Sequence, residues 1–171
     1  MSPPPLRWRV HRLALRGYRR LPVSARRFLV RRAGPTFSAG SIVLIEAEDG
    51  RVLLIRQSYR RDWGLPGGLL ARRESPQDAA CREVREEVGL DVELTGPGRL
   101  VIDPVARRLD FVFRARLELS GPVPTVRPTS AEVVEVRWFK RDALPALQPE
   151  TSTAMAALEG PEPGPVLAQR C

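Results

Sequence analysis

Cysteine is scarce in this chain and lysine scarcer still. The two cysteines among 171 residues, Cys81 and Cys171, have neither metal-ligand nor disulfide-framework spacing. Reduced thiols in a cytoplasmic protein are the expectation. No apolar run approaches the ~20 residues that span a bilayer. The run at residues 42–45, for instance, is only strand-sized. A secretory h-region is missing too. The run Arg26-Arg27-Phe28-Leu29 is followed by Arg31, Arg32, Gly34 and Pro35, where a twin-arginine leader needs apolar residues. No internal repeat is visible. Hydrophobic residues make up 43% of the chain, enough for a core, and this excludes wholesale disorder.

Acidic residues are absent from the first 34 positions, which hold ten arginines. The remaining chain has 18 basic residues against 20 acidic ones, so the net charge of +8 belongs to the arm and the body is near neutral. Lys140 is the only lysine. An arginine bias of this breadth carries no functional weight by itself. Leu6, Val10, Leu13 and Gly17 follow helical spacing, Pro22 interrupts it, and a second short helix is expected over 24–32, ended by Gly34-Pro35. Residues 1–34 thus read as a basic helical arm, 35–160 as the body and 161–171 as a loose tail. The arm has the charge to meet RNA or an anionic membrane. Its apolar side favours packing on the body or on a second subunit, as in a homodimer.

In the body, residues 42–45 and 52–55 flank Asp49-Gly50, a strong hairpin signal. A helix is expected over 76–88, with Ser75 as N-cap, Pro76 in the first turn, Asp78 closing a capping box and Gly89 just past the end. Residues 92–102 read as a strand broken at Gly96-Pro97-Gly98. From Leu109 to Leu117 apolar residues alternate with Asp110, Arg114 and Arg116, the pattern of a half-buried strand. A strand is expected over 132–140, and short helices over 142–147 and 151–158.

Chemistry concentrates between Gly68 and Leu90. At about 100° per residue, Ala80, Val84 and Val88 form one stripe that must face the core. Glu83, Glu86 and Glu87 share a flank beside it, with Arg82 and Arg85 to the other side. Like charges at this spacing repel, and a divalent cation offsets that cost directly. Taken alone, such a run is ordinarily a solvated acidic face with ion pairs. The paired glycines Gly67-Gly68 ahead of the helix let backbone approach a ligand closely and change the odds. Glu74 at the loop end and Arg82 on the helix are placed to form an ion pair.

Gly68, Glu74, Arg82, Glu83, Val84, Glu86, Glu87, Gly89 and Leu90 together match G-x5-E-x7-R-E-U-x-E-E-x-G-U, U being a bulky aliphatic. This resembles the signature of the Nudix hydrolases. Leu65-Pro66 before it, and Val136-Arg137-Trp138-Phe139 and Leu144-Pro145 near the end, are similar to family flanks. The resemblance implies an α/β fold, an αβα sandwich with a mixed sheet, spanning about 37–147. It implies Mg²⁺, with Mn²⁺ as a substitute, held by Glu83, Glu86, Glu87 and the Gly67 carbonyl. Glu83 would double as general base, with Arg82 orienting it and Glu74 holding Arg82. Glu132, then Asp103, are candidates for a further metal carboxylate. The implied reaction is hydrolysis of a phosphoanhydride in a nucleoside diphosphate linked to another group. Arg56 is a candidate for a phosphate contact, and Tyr59, Trp63, Phe37 and Phe111 for stacking on a base.

A non-catalytic nucleotide-binding or regulatory module of the same fold is the alternative, and the intact signature argues against it. The SQPWPFPxS array of NADH-type members is missing after the box. ADP-ribose, another nucleotide sugar and an (oxidised) nucleoside triphosphate stay open as substrates.

Overall fold

The computed structural model describes residues 15, 18–34, 36–117, 123–160 and 166–167. The chain divides into two units, Met1–Thr36 and Phe37–Cys171. In the first, helix α1 runs Val23–Ala33. It starts after Pro22 without a side-chain cap and ends where the Gly34 N–H donates to Val30 O. The helix expected between Leu6 and Gly17 lies outside the described residues, Leu15 apart.

The second unit is built on a seven-stranded mixed sheet. Its strands are β1 (Ser38–Glu46), β2 (Val52–Gln57), β3 (Gly67–Leu69), β4 (Val92–Asp103), β5 (Arg108–Leu117), β6 (Val133–Phe139) and β7 (Val166–Leu167), ordered β6-β2-β1-β5-β4-β7 with β3 paired to β1. β1 runs parallel to β5 and antiparallel to β2 and β3. One edge of β1 therefore serves two partners. Glu46 pairs with Val52 at one end, and residues 40–42 pair with β3 at the other. Past Val52, β2 stays paired with β6 and bridges to Gly64 through Ile55.

Helix α2 (Pro76–Val88) and helix α3 (Pro149–Glu159) complete the unit. Val43, Ile45, Leu53, Ile55 and Phe113 pack with Ala80, Val84 and Val88 of α2. Ile42, Leu44, Val52, Leu54 and Val112 pack with Ala154, Met155 and Leu158 of α3. Odd and even strand positions thus enter separate cores on the two sheet faces, an αβα sandwich. The uninterrupted apolar runs of β1 and β2 follow from that double cover. Truncating a fully buried residue such as Leu44 or Leu54 would cost about 2–5 kcal/mol.

Local chemistry sets the ends of α2. Ser75 Oγ accepts from the Asp78 N–H at 3.1 Å, and Gly89 closes the helix at φ +67°. Four expectations need correction. Residues 142–147 form no helix; Trp63 N–H donates to Ala146 O, and Leu147 bridges to Trp63. β5 is covered on both faces, so Asp110 is buried at 5% exposure rather than solvent-facing. β4 is continuous through Gly96, with a bulge between Thr95 and Arg99 absorbing the glycines. In the tail expected to be loose, Val166 and Leu167 pair with Val101 and Ile102.

Candidate active site

β3 and α2 bring the signature residues together. The Glu87 carboxylate is buried at 5% exposure. Its Oε2 accepts the backbone N–H of Gly67 at 2.9 Å. Burial pushes this carboxyl up to about 8, against the hydrogen bond from Gly67, and the charges of Glu83 and Glu132 push the same way. Gly67 lies at φ +154°, and a Cβ there would stand 2.2 Å from Ser41 O. At Gly68 a Cβ would stand 2.4 Å from Glu83 Oε1. These glycines let the loop backbone lie directly on the two carboxylates. The Oγ of Ser41 donates to Pro76 O at 2.6 Å, which ties β1 to the first turn of α2.

A single guanidinium organises the outer side. Arg82 Nε donates to Glu74 Oε1 at 2.7 Å and Nη2 to Glu74 Oε2 at 3.0 Å. Its Nη1 reaches Glu83 at 2.8 Å and Glu86 at 3.2 Å, and Nη2 reaches Leu69 O at 3.2 Å. Arg82 therefore sits with the glutamates, not on the opposite side as the helical spacing suggested. Hydrogen bonds from Arg82 and from the Ala71 N–H hold the Glu74 carboxyl down at about 2. Behind the helix end, Thr129 donates to the carbonyls of Glu86 and Glu87.

Glu132 stands near the same group, since its charge reaches both Glu87 and Tyr59. Asp103 turns the β4–β5 connection, its Oδ1 accepting from the N–H groups of Val105 and Ala106. Among the described residues no three carboxylate, histidine or cysteine groups close on one point as a ready metal site. The donor chemistry nevertheless suits a hard cation. A desolvated carboxyl with a raised pKa, beside two more acids, is relieved of its burial cost when a divalent ion pairs with it.

A cleft of about 180 Å³ opens beside Gly67 and Gly68, lined by Tyr59, Arg60, Arg108, Gln148 and Glu150 among others. A larger hollow of about 620 Å³ shares Arg60, Arg108 and Glu150 and continues to Asp110 and Thr153. Of the expected substrate contacts, Tyr59 lines the cleft. Arg56 does not; it is bound to Glu135 across the sheet at 2.7 and 3.0 Å. Trp63 lines neither hollow and packs edge-on against Phe139, with Arg137 over its ring. Phe111 packs against the α2-side core, and Phe37 is exposed at the start of β1. Sequence reasoning missed Arg60, Arg108, Gln148 and Glu150, which come from the β2–β3 connection, the first residue of β5 and the start of α3 and carry no shared pattern.

The buried Glu87 and the more accessible Glu83 and Glu86 lie together beside the glycine loop of an αβα sandwich, an arrangement suited to a hydrolase of acid anhydrides. A model of the NUDIX domain matches residues 36–158, and the chain belongs to that family. It is 33% identical to a MutT-like protein of Streptomyces ambofaciens, over 63% of this chain and 67% of that one. It is 36% identical to the putative 8-oxo-dGTP diphosphatase 2 of Mycobacterium tuberculosis, over 61% and 79%. Among solved structures, an ADP-ribose pyrophosphatase from Streptococcus suis superposes with a TM-score of 0.56 at 26% identity, covering 77% of this chain and 99% of that one.

Proposed function

We propose that this chain hydrolyses a phosphoanhydride bond in a nucleoside diphosphate derivative, with Mg²⁺ as its cofactor. The observation that carries the reading is the buried Glu87 carboxylate against the Gly67 N–H, with Glu83 pressed on Gly68. Glu83, Glu86, Glu87 and the Gly67 carbonyl would hold the metal, with Glu132 the first candidate from outside the box. When bound there, the ion would neutralise phosphoryl oxygens and lower the pKa of water.

The chain's own residues do the rest. Glu83 accepts the proton of the attacking water. Arg82, gripped by Glu74, fixes the orientation of Glu83. Arg60 and Arg108 lie along the cleft, where they can meet substrate charge, and Tyr59 offers a ring at its mouth. The relatives' names support two substrate types, an oxidised nucleoside triphosphate and ADP-ribose.

A turnover screen of these two types and of nucleotide sugars, with Mg²⁺ and with EDTA, tests the function. Metal-dependent release of a nucleoside monophosphate is expected, and full activity in EDTA would refute it. Water attacks phosphorus here, so reaction in ¹⁸O-labelled water places the label on a phosphate product. Label found only on a carbon-bearing product lacking phosphate would reject the mechanism.

A further inference from the structure

We propose that Thr129, in the connection between β5 and β6, is a positioning residue for hydrolysis. It holds the last turn of α2 so that the carboxylates of Glu86 and Glu87 keep their direction, a role that depends on those two residues holding the metal. The Thr129 hydroxyl donates to Glu86 O at 2.8 Å, across 43 positions of sequence, and its N–H donates to Glu87 O at 3.0 Å.

A helix leaves its last four carbonyls without partners of its own. In α2 these belong to residues 85–88. Arg85 O accepts from the Gly89 N–H at 3.1 Å, with Gly89 in the left-handed conformation. That cap ends the helix without outside help. Thr129 supplies the next two carbonyls, and they belong to residues whose side chains the site needs. Glu87 is thereby held at both ends, its carboxylate by the Gly67 N–H at 2.9 Å and its carbonyl by Thr129. Glu86 relies on its backbone still more. Its side chain is 57% exposed and meets Arg82 at 3.2 Å, a long contact for an ion pair. Helix ends fray, and a side chain on a fraying turn has no fixed direction.

Gly89 makes room for this contact. A Cβ there would stand 3.0 Å from the Thr129 methyl group. The connection is fastened a second time at Glu132, whose carbonyl accepts from the Ser58 N–H at 2.8 Å. Only Ser130 and Ala131 lie between the two fastenings, so this short strap ties α2 to the segment that follows β2. It also carries Glu132, whose charge reaches Glu87. Thr129 thus sets the helix turn on one side of the carboxylate group and the strap on the other.

The test uses the full chain and Mn²⁺ alone, titrated without substrate and followed by the electron paramagnetic resonance of the free ion. Thr129→Val keeps the volume and the N–H and removes the hydroxyl donor. Thr129 is exposed, so both cores stay intact and melting in EDTA should change little. Mn²⁺ binding should weaken about tenfold, and kcat with Mg²⁺ should fall about tenfold with KM little changed. Thr129→Ser keeps both donors, loses only the methyl over Gly89, and should stay within about twofold of the parent in both measurements. In a Glu86→Gln background the Thr129→Val change should weaken Mn²⁺ binding by less than about threefold, because the two losses are shared. Parent-like Mn²⁺ binding and kcat in Thr129→Val would overturn the proposal. So would a Thr129→Ser variant as impaired as Thr129→Val, or an equal effect in both backgrounds. A parent chain that neither binds Mn²⁺ nor hydrolyses nucleotides with Mg²⁺ would refute the metal set itself, an outcome distinct from the other three.

Discussion

The Glu87 carboxylate and the Gly67 amide are joined by a 2.9 Å hydrogen bond that spans twenty positions of sequence. It fastens the glycine loop to the buried side of α2, where the same carboxylate also accepts from the Gln57 side chain. Replacing the charge while keeping the shape separates chemistry from folding. Glu87→Gln is expected to reduce turnover about 100-fold or more while circular dichroism and gel filtration stay unchanged. Parent-like turnover would remove Glu87 from the metal set.

The same residue makes metal-free stability depend on pH. Its folded pKa of about 8 lies above the ordinary 4.5, so the folded state binds this proton more tightly. Stability from that proton is full below pH ~4.5 and is lost as pH rises toward 8. In EDTA the melting temperature should fall across this window by the equivalent of at least about 1.4 kcal/mol, and Glu87→Gln should flatten the slope. Glu74 has the opposite sign. Its pKa, held at about 2, gives stability that is present above ~4.5 and lost below it. A melting temperature in EDTA that rises from pH 5 to 8 would contradict the burial of Glu87.

Gly68→Ala and Gly67→Ala should differ in kind. At Gly68 the obstacle is Glu83 Oε1, the end of a side chain. The carboxylate moves aside, so turnover should fall roughly tenfold with little change in melting. At Gly67 the obstacle is the Ser41 carbonyl, and φ is +154°. That substitution should cost about 2 kcal/mol or more of stability. Urea denaturation and kcat on both variants would show whether the order holds.

Arg82→Lys tests the guanidinium as an organiser. One ammonium cannot bond Glu74 twice while reaching Glu83 and the Leu69 carbonyl. A roughly tenfold loss in kcat with KM little changed is expected. A change confined to KM would instead place Arg82 on the substrate.

Removal of residues 1–31 should leave kcat on a small nucleotide within about twofold, since every signature residue lies between 68 and 90 and the family match begins at residue 36. A large fall in kcat, with the remaining chain folded, would bring arm arginines into the cleft.

Much of the site was legible because its parts are local. Ser75, Pro76 and Gly89 mark the ends of α2, and three glutamates on one flank need only helix geometry. The direction of Arg82 was not legible, because a long side chain follows its partners rather than its position on a wheel. β3 escaped notice since three residues with two glycines have no pattern to read; only pairing with β1 defines it. Asp110 alternates like a solvent-facing residue, but a second helical layer covers that face, and the half-buried Arg108 pairs with it at 2.8 Å from the cleft side. The cleft residues were invisible because Arg60, Arg108 and Glu150 meet only through the sheet.

Because α2 interleaves Ala80, Val84 and Val88 with Glu83 and Glu87, the helix cannot change length in its first half without rotating one set away from its neighbour. Inserting a single residue between 76 and 83 would swing Glu87 by about 100°, out of reach of Gly67, or else expel Val84 from its core. The bulge at Gly96, with open space around it, can absorb an added residue with only local change. Length variation in such a chain should therefore gather in the β4 bulge and avoid the helix, a bias that random insertion libraries scored for hydrolysis would display directly.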